Sequence, residues 1–240
     1  MGIRTEVVPF LGVAILLGIV IALLCGLGHR SWFAAALVGA VPAAVLSAYF
    51  LYFFRDPPRT PPSDATAIVA GAEGTVARIT ELDHAAFLKA ASFSGLNEQQ
   101  AERFLTSPTI TRISIFLSLF DVHVNRAPLS GTVEFLGYFP GSHVFTFKEK
   151  SSDVNQHNSI LFHSEHTVCL VNQIVGPIAR RVVYWPDPNR PVDIQAGDRI
   201  GMMKFGSRLD MYVPTRDIDI TVAEGDRVRA GESMVARLRI

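Results

Sequence analysis

The sequence lacks any charge imbalance: 22 Lys and Arg stand against 22 Asp and Glu, for a formal net charge of +0. No overall field draws the chain onto nucleic acid or holds it off a lipid surface, and no nucleic-acid partner is expected. Cysteine is almost absent. Cys25 and Cys169 are the two, and Cys25 lies inside an apolar run, so no disulfide framework is expected, which suits a reducing compartment. The seven histidines are scattered; His163 and His166 in "HSEH" would need further ligands that the sequence does not supply, and no metal is expected. Partners must therefore come from local features.

Two uncharged runs, residues 7–28 and 31–54, are separated only by His29 and Arg30. Each is long enough to cross the ~30 Å hydrocarbon core as a helix. Arg4 precedes the first run and Arg55 and Arg59 follow the second, against Arg30 alone between them. That bias predicts a membrane hairpin, residues 1–54, with both ends and the rest of the chain on the cytoplasmic side of the cell membrane. A secretory signal peptide fits less well, because the run is too long and no small-x-small cleavage site precedes the second run. A hairpin lying in the interface stays open as an alternative. The stretch "RDPPRTPPSD" that follows holds four prolines in ten residues, so residues 55–66 read as a stiff linker.

Residues 67–240 change to short β-like runs bounded by glycine and proline, such as "GTVARI", "ITRISIFLSL", "GTVEFLGYF" and "HTVCLVNQI". The exceptions, "DHAAFLKAAS" and "NEQQAERFLT", read as short helices, the second with an N-cap at Asn97 and a capping-box partner at Gln100. The pattern predicts a mainly β (α+β) chain: a barrel-sandwich-like antiparallel domain with a small helical insertion. An internal echo between "QAGDRIGMM" and "AEGDRVRAGESMVARL" points the same way. Barrel-sandwich folds include carriers of biotinyl and lipoyl groups, and Lys204 in "GMMKFG" follows two methionines. A noncatalytic, membrane-tethered carrier or adaptor is therefore one reading. Against it, no methionine follows Lys204, and a solvent-facing strand lysine is the plainer account.

A catalytic reading starts from "MMKFGSRLDMYVP", where a Gly-Ser pair interrupts a strand. Gly206 lets a neighbouring side chain approach its carbonyl, and Ser207 becomes a nucleophile only if a base removes its proton. "LSLFDVHVNRAPLSG" offers His123, with Asp121 two positions earlier on the same face of a strand, where a carboxylate orients an imidazole or raises its basicity. "VAGAEGTV" adds Glu73 in a glycine-bounded turn, a second acid able to orient a histidine.

These stretches, with "YFFRDPPRTPP" and "IARRVVYW" in the same order, resemble phosphatidylserine decarboxylases of the short, membrane-anchored bacterial or archaeal form. The resemblance runs from the end of the apolar hairpin to the C terminus, and "GMMKFGSRLDMYVP" is its most specific part. It implies a proenzyme that cuts itself between Gly206 and Ser207. Residues 1–206 would form a large subunit and residues 207–240 a small one, opened by a pyruvoyl group made from Ser207. It implies conversion of phosphatidylserine to phosphatidylethanolamine and CO2 through a Schiff base on that self-generated cofactor, with the bilayer as partner and a homo-oligomer left open. His123 would act as base in processing and as acid in turnover, with Asp121 and Glu73 sharing its orientation. Arg126 and Arg208 are candidates for substrate anions, with Arg180 and Arg181 behind them. Two departures stand out. Gly71-Ala72-Glu73-Gly74 replaces the usual Pro-Ala-Asp-Gly, and Asn155-Gln156-His157-Asn158 replaces Asn-Glu-Arg-Asn.

Overall fold

The structure, a computed structural model, describes residues 2–28, 31–142, 144–146, 154–176, 182–205 and 207–240, the side chains of Ser92 and Phe93 excepted. The chain divides into two compact units, Met1–Pro58 and Arg59–Ile240.

In the first unit the two uncharged runs become α1 (Val8–Gly28) and α2 (Trp32–Phe53), both long and apolar enough to cross a membrane. Ser31 caps α2 by accepting from the Ala34 N–H, which satisfies one of the orphan donors at a helix start. The helices meet through small residues. A Cβ on Gly39 would lie 2.1 Å from the Gly18 carbonyl oxygen, and one on Gly18 would lie 2.6 Å from Ala43 Cβ, so backbone touches backbone as apolar helix pairs require. A two-residue strand, β1 (Gly2–Ile3), pairs antiparallel with β2 (Arg55–Asp56), Gly2 opposite Asp56 and Ile3 opposite Arg55. The prolines beyond take no regular element, because they donate no ladder hydrogen bond.

The second unit runs β3 (Ala67–Val69), β4 (Gly74–Leu82), α3 (His84–Phe93), α4 (Glu98–Leu105), β5 (Ile110–Leu117), β6 (Val124–Arg126), β7 (Gly131–Phe139), β8 (His157–His163) and β9 (Val168–Val175). It continues with β10 (Val182–Tyr184), β11 (Val192–Ile194), β12 (Arg199–Met203), β13 (Ser207–Pro214), β14 (Ile218–Ile220), β15 (Arg227–Val228) and β16 (Met234–Leu238). An eight-stranded sheet has the order β11-β7-β8-β9-β13-β5-β4-β15, and two three-stranded sheets have the orders β10-β12-β6 and β14-β16-β3. Among the described residues every pairing between these strands is antiparallel. The expected mainly antiparallel β architecture is what forms.

Alternation along β13 decides what each face of the large sheet meets. Leu209, Met211 and Val213 enter the main core with Ile113, Ile115 and Val171. Tyr212 enters a second cluster with Phe87 of α3, Phe104 of α4, Leu161 and Leu170. The helical insertion is thus held to the sheet by its aromatic residues, while Leu88 stays 44% exposed. Asn97 and Gln100 close a reciprocal capping box at the start of α4. β13 lies inside the large sheet with neighbours on both edges, β9 and β5.

Candidate active site

β12 ends at Met203 and β13 begins at Ser207, so the chain turns a corner between them, with Lys204 and Phe205 in it. Ser207 faces Leu117 across one edge and Val175 across the other. It is fully buried, and its Oγ has no hydrogen-bond partner among the described residues. An unmet hydroxyl in such a place costs about 1–3 kcal/mol, and native proteins rarely tolerate one without a use for it. Phe205 has a φ of 56°, a left-handed conformation that costs a side-chain-bearing residue roughly 1–2 kcal/mol. Gly206 lies outside the described residues.

His123 is completely buried. It and Asp121 precede β6 instead of lying within a strand, because Asp121 closes a turn by donating its N–H to the Ser118 carbonyl at 3.1 Å. The imidazole Nδ1 lies 2.9 Å from the Asp121 carbonyl oxygen. A carbonyl only accepts, so Nδ1 carries the hydrogen and Nε2 is the basic nitrogen of the neutral ring. The His123 carbonyl in turn accepts from Met203 N–H at 3.2 Å. Val124 pairs with Met202, so the histidine loop is fastened to the last residues of β12, just before the corner.

The two acids hold this loop from different sides. Asp121 accepts from Ser118 N–H at 2.8 Å and Ser118 Oγ at 2.7 Å, and forms an ion pair with Arg227. Burial pushes the Asp121 carboxyl up, but the donors on Arg227 and Ser118 together outweigh it and hold it below the usual carboxylate range. Glu73 accepts from Val122 N–H at 3.2 Å with one oxygen and pairs with Arg59 through the other. The Val122 N–H and the Asp121 carbonyl belong to one peptide group, so Glu73 grips that group at one end and His123 at the other. Gly74 is what lets this turn lie so close: its φ is +155°, and a Cβ there would sit 2.0 Å from the Phe116 carbonyl oxygen. Glu73, Arg227, Val228 and Arg229 line an open cavity beside the loop.

The candidate arginines have other surroundings. Arg126 is buried, donates to the Gly197 carbonyl at 2.8 Å, and passes between the Gly197 and Gly231 turns. Arg208 points to the face opposite Ser207, donating to Asp210 and to Ser114 Oγ, each at 2.7 Å. Arg180 and Arg181 lie outside the described residues. The departing segment at 155–158 sits near Ser207: Asn155 Nδ2 donates to the Val175 carbonyl at 3.0 Å, and the His157 ring stacks on Phe139. Among the described residues no group of three or more His, Cys, Asp or Glu is placed to hold a metal ion.

Arg59, Ser118 and Arg227 emerge as partners of the two acids only in the structure. Ser118 had a local signal, a hydroxyl three residues before an acid, as in side-chain-closed turns. Arg227 lies 106 residues from Asp121 and Arg59 lies 173 from Glu232, and nothing in a single sequence marks such pairs.

Known proteins give a consistent match. A family model described as phosphatidylserine decarboxylase matches residues 46–236. The phosphatidylserine decarboxylase proenzyme of Prosthecochloris aestuarii is 40% identical over 79% of this chain and 77% of its own. Those of Carboxydothermus hydrogenoformans and Desulfotalea psychrophila are 37% and 36% identical, over 81% and 80% of this chain and 82% and 80% of their own.

Proposed function

The chain belongs to the phosphatidylserine decarboxylase family, and from that premise we propose that it cuts itself between Gly206 and Ser207 and then converts phosphatidylserine to phosphatidylethanolamine and carbon dioxide. The observation that carries this reading is the Ser207 hydroxyl, buried and without a hydrogen-bond partner among the described residues. A hydroxyl with no structural duty suits a residue destined to be consumed.

In this scheme His123 Nε2 takes the proton from Ser207 Oγ as that oxygen attacks the carbonyl carbon of residue 206. The proton passes to the Ser207 nitrogen as the peptide C–N bond breaks, leaving a free amine and an ester in place of the amide. Removal of the Ser207 α-proton then expels the residue-206 carboxylate and leaves dehydroalanine. Water converts the latter to a pyruvoyl group with loss of ammonia. The left-handed Phe205 beside the scissile bond raises the energy of the uncut corner, which favours cutting. The pyruvoyl group supplies the electron sink that decarboxylation needs. His123 holds the proton that returns to the substrate α-carbon, while Asp121 and Glu73 keep its loop in place. Arg126 and Arg208, both engaged within the fold, support the site through the Gly197 turn and β13.

Residues 207–240 contribute β13, β14, β15 and β16. β13 is bonded on both edges, which supports two subunits that stay together after the cut. The two apolar helices suit an enzyme whose substrate lies in a bilayer, since tethering raises the local concentration of the lipid. The arginine distribution favours the cytoplasmic face.

Intact-mass analysis of the purified protein tests the scheme. Two polypeptides are expected, the smaller covering residues 207–240 with a pyruvoyl in place of its first residue, and Ser207→Ala should give one uncut, inactive chain. Active wild-type protein recovered as a single chain with Ser207 unchanged would overturn it, and an acyl group on Lys204 of that chain would favour a carrier.

A further inference from the structure

Arg59 is the first residue of the second unit, and its side chain is only 8% exposed. Its guanidinium pairs with Glu73 through Nη2 and with Glu232 through Nη1, the latter at 3.0 Å. The Thr60 N–H adds a longer bond to Glu232 at 3.5 Å. The other Glu73 oxygen takes the N–H of the Asp121–Val122 peptide, and the carbonyl of that same peptide takes the Nδ1 hydrogen of His123. Four groups therefore stand in line: guanidinium, carboxylate, peptide and imidazole.

We propose that Arg59 is a positioning residue that acts on His123 by holding Glu73 against the Asp121–Val122 peptide. A carboxylate on the N–H end of a peptide draws its electrons toward the carbonyl, making that oxygen a stronger acceptor for the Nδ1 hydrogen, because bonds in a chain polarise one another. A more strongly held Nδ1 hydrogen leaves Nε2 more basic. Arg59 fixes the carboxylate in the one orientation that reaches Val122. Among the described residues, Arg227 and Arg229 share the Glu73 cavity, Asp121 pairs with Arg227, and Glu232 shares Arg59. A glutamate has the arm for this bridge, and an aspartate in its place would be one methylene short of reaching both Arg59 and Val122. Because Glu232 would lie in the small subunit, the same guanidinium also joins the two subunits after cleavage.

The inference rests on the self-cleavage reading above, and its test separates the two. Full-length protein is made in a cell-free system containing vesicles, and conversion to two chains is followed in time by mass. Wild type that never cleaves would sink the self-cleavage reading. If wild type cleaves, Arg59→Gln should cleave about tenfold more slowly or worse, the size of losing one charge-assisted contact. Arg59→Lys should recover part of the rate, and millimolar guanidinium should speed Arg59→Gly without affecting wild type. Glu73→Asp should be slowed as well, and Glu232→Gln far less than Arg59→Gln. Decarboxylation per cleaved molecule separates orientation from folding, because a misfolded fraction lowers yield without changing the rate of the part that cleaves. Arg59→Gln and Glu73→Asp cleaving at the wild-type rate, or Glu232→Gln matching Arg59→Gln with no guanidinium rescue, would overturn the proposal.

Discussion

Asp121 reaches His123 through its main-chain carbonyl, 2.9 Å from Nδ1, while its carboxylate faces Ser118 and Arg227. The aspartate two residues before the histidine thus fixes the tautomer with backbone and the loop with side chain. A carboxylate on the ring would stabilise the imidazolium directly. A carbonyl mainly chooses which nitrogen stays basic.

It follows that His123 cannot be replaced by a residue that keeps only the Nδ1 hydrogen bond. In His123→Asn the side-chain amide can still donate to the Asp121 carbonyl, but no basic nitrogen remains. The uncut precursor should accumulate, with cleavage slowed about 100-fold or more, as intact mass against time would record. Cleavage of His123→Asn at the wild-type rate would remove the histidine from the processing step.

Asp121 gives the loop a pH dependence with a defined sign. Its carboxyl is held below its usual range despite burial, by donors on Arg227 and Ser118. A lowered folded-state value means stabilisation that is complete above the unfolded value of about 4 and is lost as pH falls through the folded value. Asp121→Asn should therefore be less stable than wild type at pH 7, and the gap should close in strongly acidic buffer. Thermal unfolding in detergent across that range would measure it. A gap that stays constant with pH would contradict the assignment.

Arg208 and Asp210 form a buried pair two residues apart on one face of β13, with exposures of 3% and 0%. Removing one partner leaves the other charge inside the sheet, a loss of about 3–5 kcal/mol. Asp210→Ala should lower the unfolding midpoint sharply, and Arg208→Met combined with Asp210→Leu should regain much of that loss. Both would be read by denaturant unfolding. If Asp210→Ala were neutral, the pair would not be what anchors the strand that Ser207 opens.

Local patterns were legible in the sequence: the two apolar helices, the capping box of Asn97 and Gln100, and the short β-like runs bounded by glycine and proline. Short-range chemistry also made Ser207, His123, Asp121 and Glu73 stand out. What stayed hidden depends on closure over long sequence distances. Arg227 meets Asp121 and Arg59 meets Glu232 because β15 and the turn before β16 return to the early strands, and no periodicity encodes that return. The strand placement of His123 was misleading for a related reason. A turn held by Ser118 took over residues whose alternation alone reads as β.

The short ladder of Gly2 and Ile3 with Asp56 and Arg55 limits what the apolar hairpin can do. A loop whose two ends are stitched together cannot leave them in opposite leaflets. Wherever this hairpin enters a bilayer, the chain's beginning and the doorway to its enzyme come out on the same shore.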